Sequence, residues 1–409
     1  MPAPLPLRVR YTAALMGRSA FLFSAGHSVL AGLVPFVALR SLGAPEWVPP
    51  LVIAWQALWI VAPAVEPLLS RTDPRRAFRA IAIVGYAPIL LLPFVAVRPT
   101  GEHGLGEGDV VLFLVATFLY QASTTAYIPH RMALLSQNVP RPLRGRVYGA
   151  LNRIEILGAV VAAKGAGMLL DLDPRWLRIA FPAAACVGFV GMARLARVRW
   201  ARGPRTPPGL DSMAGAWRES VRLLLRDRAF LLYEIAFLLY GLGFLMSQPL
   251  LAVYAERTLH LSYDEWTTAS AVAFPVAQLL VVPLAGRLAD RIGLMRTTAI
   301  AFLVLAAFFG WMPFVASATA LVAAFAVHGI AMAGVNVGWT LGPLHFAPEG
   351  KARVYGSVHL MMVGVRSALA PFAGYAIKQH LSLSVAFATS AALVLAAIPV
   401  GLAAGRMRP

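Results

Sequence analysis

Arg146-Val147-Tyr148-Gly149 and Arg353-Val354-Tyr355-Gly356 are two copies of one tetrapeptide, one in each half of the chain, and each copy opens a long apolar segment. A repeat at this distance indicates that the chain consists of two similar halves. Duplicated halves built from long apolar segments are typical of polytopic membrane proteins, which move a solute through the seam between the halves. The repeat therefore predicts a two-bundle membrane protein.

The composition sets the class of protein. The chain has 409 residues, of which 59% are hydrophobic and 13% are charged. Apolar runs of about 20 residues recur along the chain, and this is the number of helical residues that crosses a bilayer core about 30 Å thick. Because the runs are continuous, they lack the apolar and polar alternation of an outer-membrane barrel. The chain is therefore predicted to be an all-α polytopic membrane protein.

Twelve apolar runs, bounded by charges or by Pro and Gly clusters, predict twelve transmembrane helices in two pseudo-symmetric six-helix bundles. Helices 1 to 6 are expected near residues 12–38, 47–69, 77–97, 109–133, 145–170 and 176–198. Helices 7 to 12 are expected near residues 229–255, 264–288, 296–316, 317–342, 353–378 and 382–404. The predicted domains are an N-terminal bundle (1–198), a cytoplasmic linker with a short amphipathic helix (199–228) and a C-terminal bundle (229–409).

The net charge is +18, which in a soluble protein would indicate nucleic-acid binding. Here the basic residues concentrate at the chain start, at alternate junctions between helices and at the C-terminus, and no basic domain lies outside the helices. The positive-inside rule places these regions in the cytoplasm. We therefore expect an integral protein of a bacterial-type inner (plasma) membrane, with both termini cytoplasmic and no nucleic-acid partner.

Cysteine usage limits the chemistry of the chain. Cys186 is the only cysteine and lies within an apolar run. The chain therefore forms neither an intramolecular disulfide nor a cysteine metal cluster. No cofactor and no metal ion are expected.

The linker contains an amphipathic segment. Asp211 or Ser212 is expected to cap a short helix, on which Arg218, Arg222 and Arg226 lie off the apolar face. Such a helix lies on a membrane surface, with its basic side facing anionic head groups. Membrane lipid is therefore an expected partner, and a solvated connector is the alternative.

The junction between helices 8 and 9 carries a recognisable loop signature. Residues 286–296, Gly-Arg-Leu-Ala-Asp-Arg-Ile-Gly-Leu-Met-Arg, resemble the motif G-x-x-x-D-R-x-G-x-x-R of the major facilitator superfamily. With twelve helices and inward termini, the resemblance covers essentially the whole chain. It implies a secondary active transporter that works by alternating access, in which the motif forms a cytoplasmic gate. The gate residues are then Glu66, Arg71, Arg76, Gly286, Asp290, Arg291, Gly293 and Arg296.

The first-half copy of the motif departs from the family pattern. Glu66 stands where the first Gly is expected, Ser70 replaces Asp and Asp73 replaces the second Gly, while Arg71 and Arg76 remain. The usual latch is therefore incomplete unless Glu66 or Asp73 supplies its carboxylate. As an alternative, Asp290 and the arginines of the intact copy only set topology and a turn.

Ionisable residues within the predicted helices are candidates for a solute pathway. A charge at a helix centre costs roughly 2.5 to 3.5 kcal/mol on insertion scales, so it usually faces a cavity or a partner. Arg153 and Glu155 lie on helix 5, and Arg366 lies near the middle of helix 11. We expect the two arginines to attract an anionic or hydrogen-bonding substrate and Glu155 to act as ion-pair partner or proton carrier. Interhelical ion pairs without a transport role are the alternative.

In the family that the chain resembles, helices 1, 4, 7 and 10 line the central cavity, and each carries polar residues here. The predicted pathway residues on these helices are His27, Gln121, Thr125, Tyr127, Tyr240, Gln248, His328 and Asn336. A polar stripe of this kind suits a partly polar solute. The same residue types also bond neighbouring helices in membranes, so each one singly is weak support.

The function expected from these features is proton-linked transport of a small polar or anionic solute by a monomer. The candidate proton carriers are Glu155, Glu234 and His27. Symport, antiport, import and export all stay open. A passive facilitator and a lipid flippase of the same fold are alternatives. A polytopic membrane enzyme is a further one, although the histidines lack the spacing of a metal site or a catalytic triad.

Overall fold

The structure of the chain is a computed structural model that describes residues 7–61, 74–94, 107–139, 141–198, 213–348 and 351–407. Within these ranges the chain is almost entirely helical and contains no strand. The predicted all-α class is therefore confirmed.

Met1–Ala44 and Glu66–Pro208 form the first of two compact units. Helix 1 packs on helices 5 and 6, and helix 3 packs on helices 4 and 6. Helix 1 comprises Leu7–His27, a π-helical turn Ser28–Gly32 and Val34–Arg40, and helix 3 comprises Pro74–Tyr86 and the 3-10 segment Pro88–Phe94. Helices 4 and 5 are Glu107–Asn138 and Arg141–Leu172, and helix 6 comprises Pro174–Trp176 and Leu177–Leu195.

Pro45–Val65 and Gly209–Pro409 form the second unit. Helix 7 packs on helices 11 and 12, helix 10 packs on helices 8 and 9, and helix 9 also packs on helix 12. Helix 2 comprises Val48–Ala54 and Trp55–Val61, the linker helix is Met213–Arg226, and helix 7 comprises Arg228–Val253 and Tyr254–Thr258. Helix 8 comprises Tyr263–Thr267, Thr268–Ala273 and Phe274–Ile292, and helix 9 comprises Leu294–Trp311 and Met312–Phe314. Helices 10, 11 and 12 are Ala318–Phe346, Ala352–His380 and Leu383–Met407.

Helix 2 belongs to the second unit through its packing on helix 11. Lys378, near the end of helix 11, forms an ion pair with Glu46, which precedes helix 2. A side chain at Gly364 of helix 11 would collide with the backbone of Ile60. The indole Nε1 of Trp217, on the linker helix, donates to the carbonyl oxygen of Ile60 at 3.1 Å. The domain boundaries at residues 198 and 229 stay predictions.

Two other sequence expectations concern membrane spans and the linker. Nine helices of the described ranges have the length and hydropathy to cross a membrane, and Val48–Val61 and Val111–Tyr127 are shorter apolar stretches. Helix 5 is long enough but carries Arg153, Glu155 and Lys164 along its length, which lowers its hydropathy. The linker helix is present, while its expected caps Asp211 and Ser212 lie outside the described residues.

The crossing of helices 7 and 12 depends on a glycine. A Cβ atom at Gly243 would lie 2.6 Å from the backbone carbonyl oxygen of Ser390 and 3.1 Å from a methyl of Val394. Small residues let membrane helices approach closely enough for backbone contact. The close packing of helix 12 on helix 7 therefore requires a glycine at position 243.

We expect Gly243→Ala to lower the free energy of unfolding by about 1 to 3 kcal/mol, as overpacking of a close contact does. The matched control is Gly310→Ala on helix 9, where an added Cβ meets nothing within 4 Å. That control should leave stability unchanged or raise it by about 0.5 to 1 kcal/mol, because alanine favours a helix over glycine. Thermal unfolding of the purified variants checks both, and equal midpoints for the two variants would contradict the packing.

Candidate functional site

Three ionisable side chains meet inside the second unit, between helices 7 and 11. Glu234 of helix 7 is 1% exposed, and His359 and Arg366 of helix 11 are 3% and 6% exposed. Because His359 and Arg366 lie about two helical turns apart, both face the same neighbouring helix. We call Glu234, His359 and Arg366 the buried charged cluster.

Glu234 and His359 form a hydrogen-bonded pair. The Nδ1 of His359 lies 3.0 Å from Oε1 and 3.2 Å from Oε2 of Glu234. The rings of Tyr233, Phe237 and Trp339 surround the imidazole, with centroids 5.6, 5.6 and 5.3 Å away. One hydrogen is shared between Nδ1 of His359 and the carboxyl group of Glu234. The Nε2 of His359 has no hydrogen-bond partner among the residues that the structure describes.

Arg366 is buried with donors to spare. Its Nη1 donates to the backbone carbonyl oxygen of Phe237, and its guanidinium carbon lies 5.4 Å from the centroid of the Tyr240 ring, within cation–π reach. Glu234 acts on Arg366 electrostatically but makes no ion-pair contact with it within the described part of the chain. The Nε of Arg366 has no hydrogen-bond partner there either. A guanidinium carries five N–H donors, so this one can bind a further acceptor.

A glycine makes room for this guanidinium. A Cβ atom at Gly241 of helix 7 would collide with Cδ, Nη1 and Nε of Arg366. The side chain of Arg366 therefore crosses helix 7 over a position that has no side chain of its own.

Tyr355, in the second copy of the repeated tetrapeptide, connects the start of helix 11 to the start of helix 7. The hydroxyl of Tyr355 donates to Oδ2 of Asp227 at 2.7 Å. Asp227 in turn caps helix 7, because its Oδ1 accepts from the amide of Phe230 at 3.1 Å. Helices 7 and 11 are thus joined near their starts. Asp227 lies about two turns before Glu234 on helix 7, and Tyr355 lies about one turn before His359 on helix 11.

The other predicted pathway residues of the second unit have different surroundings. Tyr240 is buried beside Arg366, and its hydroxyl lies 4.0 Å from Sδ of Met332. His328 packs between the rings of Phe308 and Phe274, with centroids 4.5 and 4.7 Å away. Neither nitrogen of His328 has a hydrogen-bond partner among the described residues. His328 therefore lies in an aromatic core. Gln248 and Asn336 are half-buried.

In the first unit, the predicted residues of helices 1 and 4 lie in a buried aromatic group. The Nδ1 of His27 lies 2.7 Å from the hydroxyl of Tyr120. Tyr127 is fully buried, and its ring centroid lies 4.3 Å from that of Phe23. Gln121 and Thr125 are half-buried, and the hydroxyl of Thr125 donates to the backbone carbonyl of Gln121 at 2.9 Å. The structure thus brings His27 together with Tyr120 of helix 4, and Tyr127 packs on Phe23.

Arg153 and Glu155 of helix 5 have different surroundings. Glu155 forms an ion pair with Arg131 of helix 4, and both side chains are less than a fifth exposed, at 18% and 17%. Arg153 is exposed. Two residues along a helix are about 200° apart around its axis, which accounts for the different surroundings of Arg153 and Glu155.

The gate residues that the structure describes lie at the surface. Asp290, Arg291 and Arg296 are exposed, as is Arg76. Gly293 joins helices 8 and 9 with a φ of +92°, a backbone conformation that favours glycine. Gly286 has open space where a side chain would start. Glu66 and Arg71 lie outside the described residues.

Glu234, Arg366 and His27 are predicted from the sequence as functional residues. The sequence does not reveal that His359 is the partner of Glu234 or that Tyr120 is the partner of His27. The spacing of His359 and Arg366 on one helix face was a usable signal, because both positions carry ionisable groups inside an apolar segment. Nothing in the sequence pairs His27 with Tyr120. In the described part of the chain, no three His, Cys, Asp or Glu residues come together as a metal site.

Comparisons with known proteins place the chain in a family. The model of the Major Facilitator Superfamily matches residues 16–371 and 235–408. The solved structure of a mutant of the nucleoside transporter NupG is 12% identical, with a TM-score of 0.71, over 96% of this chain and 99% of that one. No curated protein matches.

Two structures of POT family transporters show the same fold. A POT family transporter in complex with a thioalcohol-conjugated peptide is 12% identical, with a TM-score of 0.76, over 97% of this chain and 96% of that one. A POT family transporter in complex with 5-aminolevulinic acid is 13% identical, with a TM-score of 0.73, over 97% and 96%. The family match spans most of the chain, and this protein belongs to the Major Facilitator Superfamily, as a membrane transporter and not an enzyme.

Proposed function

We propose that this transporter is a proton-linked secondary carrier that moves a small polar or anionic solute by alternating access. The observation that carries the proposal is the buried charged cluster of Glu234, His359 and Arg366. Ionised groups in a membrane helix are costly and are retained for a partner, an ion pathway or a substrate. Glu234 and His359 can exchange a proton, and Arg366 can bind a hydrogen-bond acceptor.

Glu234 and His359 suit the coupling step. An imidazole is the side chain that changes charge most readily between pH 5 and 8. Nδ1 of His359 is hydrogen-bonded to Glu234, so gain or loss of one proton by the pair changes the net charge next to Arg366. The groups that face this pair from helices 7 and 11 are Tyr233, Tyr240 and Arg366. Among the predicted carriers, Glu234 is thus the best supported.

Arg366 suits the substrate step. Its free Nε and its remaining donors can hold a carboxylate or another oxygen acceptor in the forked geometry that a guanidinium prefers. The face of the Tyr240 ring supports the guanidinium from one side. A solute that carries such a group would therefore be held within reach of the charge that the proton pair controls.

The remaining pathway and gate residues belong to the same proposal. We propose that Glu155 is held by Arg131 as a structural ion pair and that the helix 8 to 9 motif gates the cytoplasmic side. The chain would act as a monomer in a bacterial-type inner (plasma) membrane, with both termini cytoplasmic and lipid around it. His27, Gln121, Thr125, Tyr127, Arg153, Gln248, His328 and Asn336 stay candidate pathway residues.

The coupling role predicts a separation of two kinds of flux. In liposomes, an imposed pH gradient should drive accumulation of a solute found by a thermal-shift screen. Glu234→Gln and His359→Asn should abolish the dependence on the gradient and spare solute exchange at equal pH, because exchange needs no net proton movement. His359→Asn keeps a donor near Nδ1 but cannot titrate.

Glu219→Gln, which removes an exposed carboxylate of the linker helix, is the control and should retain gradient-driven flux. Wild-type flux that ignores the gradient would reject proton coupling in favour of a passive facilitator. Movement of labelled lipid instead of soluble solutes would favour a flippase.

The substrate role predicts a graded series at position 366. Arg366→Gln should weaken solute binding at least tenfold, or about 1.4 kcal/mol, and Arg366→Lys should lie between because a lysine keeps the charge but loses the fork. Isothermal titration measures both. Arg257→Gln, at an exposed arginine that ends helix 7, is the control, and a wild-type dissociation constant for Arg366→Gln would remove Arg366 from the site.

A further inference from the structure

A groove on the surface of the first unit contains two arginines that the transport proposal does not use. It has a volume of about 360 Å³ and is lined by residues of helices 1, 5 and 6, among them Ala14, Gly17, Arg18, Ile154 and Arg194. Arg18 is exposed and Arg194 is half-buried. We call this the basic groove.

The position of Arg18 is costly unless an anion is near. Arg18 lies inside the apolar stretch Tyr11–Arg40, which has the length and hydropathy of a membrane span. Within the described part of the chain, neither Arg18 nor Arg194 has a hydrogen bond or an ion pair. Arg194 lines the same groove, so an acidic group bound there would meet two cations.

The walls of the groove are apolar and continue along a lipid-type surface. At Gly17 helix 1 lies close to helix 5, since a Cβ there would lie 3.2 Å from Cδ1 of Ile154. Ile154 of the groove wall is 37% exposed, and Leu157 and Val161, further along helix 5, are each 57% exposed. Exposed aliphatic side chains in a row on a membrane helix face acyl chains.

Both arginines lie toward one end of their helices. Helix 1 starts at Leu7, so Arg18 is about 16 Å along it at about 1.5 Å per residue, and Arg194 is in the last turn of helix 6. Basic pockets between transmembrane helices near one membrane face are suited to phospholipid head groups. Arginine binds phosphate in a bidentate manner, and acyl chains match the apolar walls.

We propose that the basic groove binds one anionic phospholipid of the leaflet at the N-terminal end of helix 1. Arg18 and Arg194 hold its head-group phosphate, and an acyl chain lies along Gly17 and Ile154. The site is independent of proton-linked transport. It would hold lipid in a carrier that is uncoupled by Glu234→Gln.

Native mass spectrometry of the purified full chain tests the site with phosphatidylglycerol and phosphatidylcholine of equal chain length. Wild type should retain phosphatidylglycerol in preference to phosphatidylcholine, and Arg18→Gln and Arg194→Gln should each lower its occupancy about fivefold, the effect of one arginine near a charged surface. Arg257→Gln, which removes an exposed cation at the end of helix 7, should leave occupancy unchanged.

Ala14 is exposed, so Ala14→Phe fills the groove without a change of charge. This variant tests the proposal even if an arginine variant fails to fold. It should also expel phosphatidylglycerol. Equal binding of the two lipids by wild type, full retention by Ala14→Phe or an equal loss in Arg257→Gln would overturn the proposal. Displacement of the lipid by millimolar inorganic phosphate would overturn it too, since the site would then bind a free anion.

Discussion

The burial of ionisable groups in an apolar helical environment is the constraint on which the second unit depends. Glu234, His359 and Arg366 are each nearly inaccessible to solvent, and the cost of placing them there is offset only by partners on the facing helix. Those partners in turn fix how helix 7 meets helix 11. Gly241 clears a path for Arg366, and the aromatic rings around His359 exclude water from the pair.

The repeated tetrapeptide has a structural role in that arrangement. Tyr355, in the second copy, binds Asp227, and Asp227 caps helix 7. The tie sets the ends of helices 7 and 11 against each other, so that Glu234 and His359 come into register further along. In the first unit, the two nearest comparable features are a neutral contact between His27 and Tyr120 and an ion pair between Arg131 and Glu155. The two halves share an architecture and differ in their buried charges.

Much of the fold could be predicted from the sequence, because apolar length and repeat are local properties. The twelve helices and their two-bundle arrangement follow from them, and the loop signature at residues 286–296 indicates the family. Membership of helix 2 in the second unit could not, because it depends on contacts such as Trp217 with Ile60 that join distant residues. The site shows the same limit. Glu234 and Arg366 stand out in the sequence as charges in apolar segments, whereas the partner of Glu234 lies 125 residues away.

The surroundings of single polar residues could not be predicted from the sequence either. A lone histidine in an apolar helix is ambiguous in sequence, and His328 proves to be packed among phenylalanines while His359 faces a carboxylate. Neighbours on one helix also diverge, as Arg153 and Glu155 do, because helical rotation sends them to different faces.

The central claim is that solute binding at Arg366 is linked to proton binding by Glu234 and His359. Calorimetric titration of the purified transporter with its solute, in buffers that differ in ionisation enthalpy, measures the protons exchanged on binding. The account predicts a buffer-dependent heat for wild type that disappears in Glu234→Gln while binding persists. A binding heat that is the same in every buffer for wild type, at pH values from 5 to 8, would contradict it.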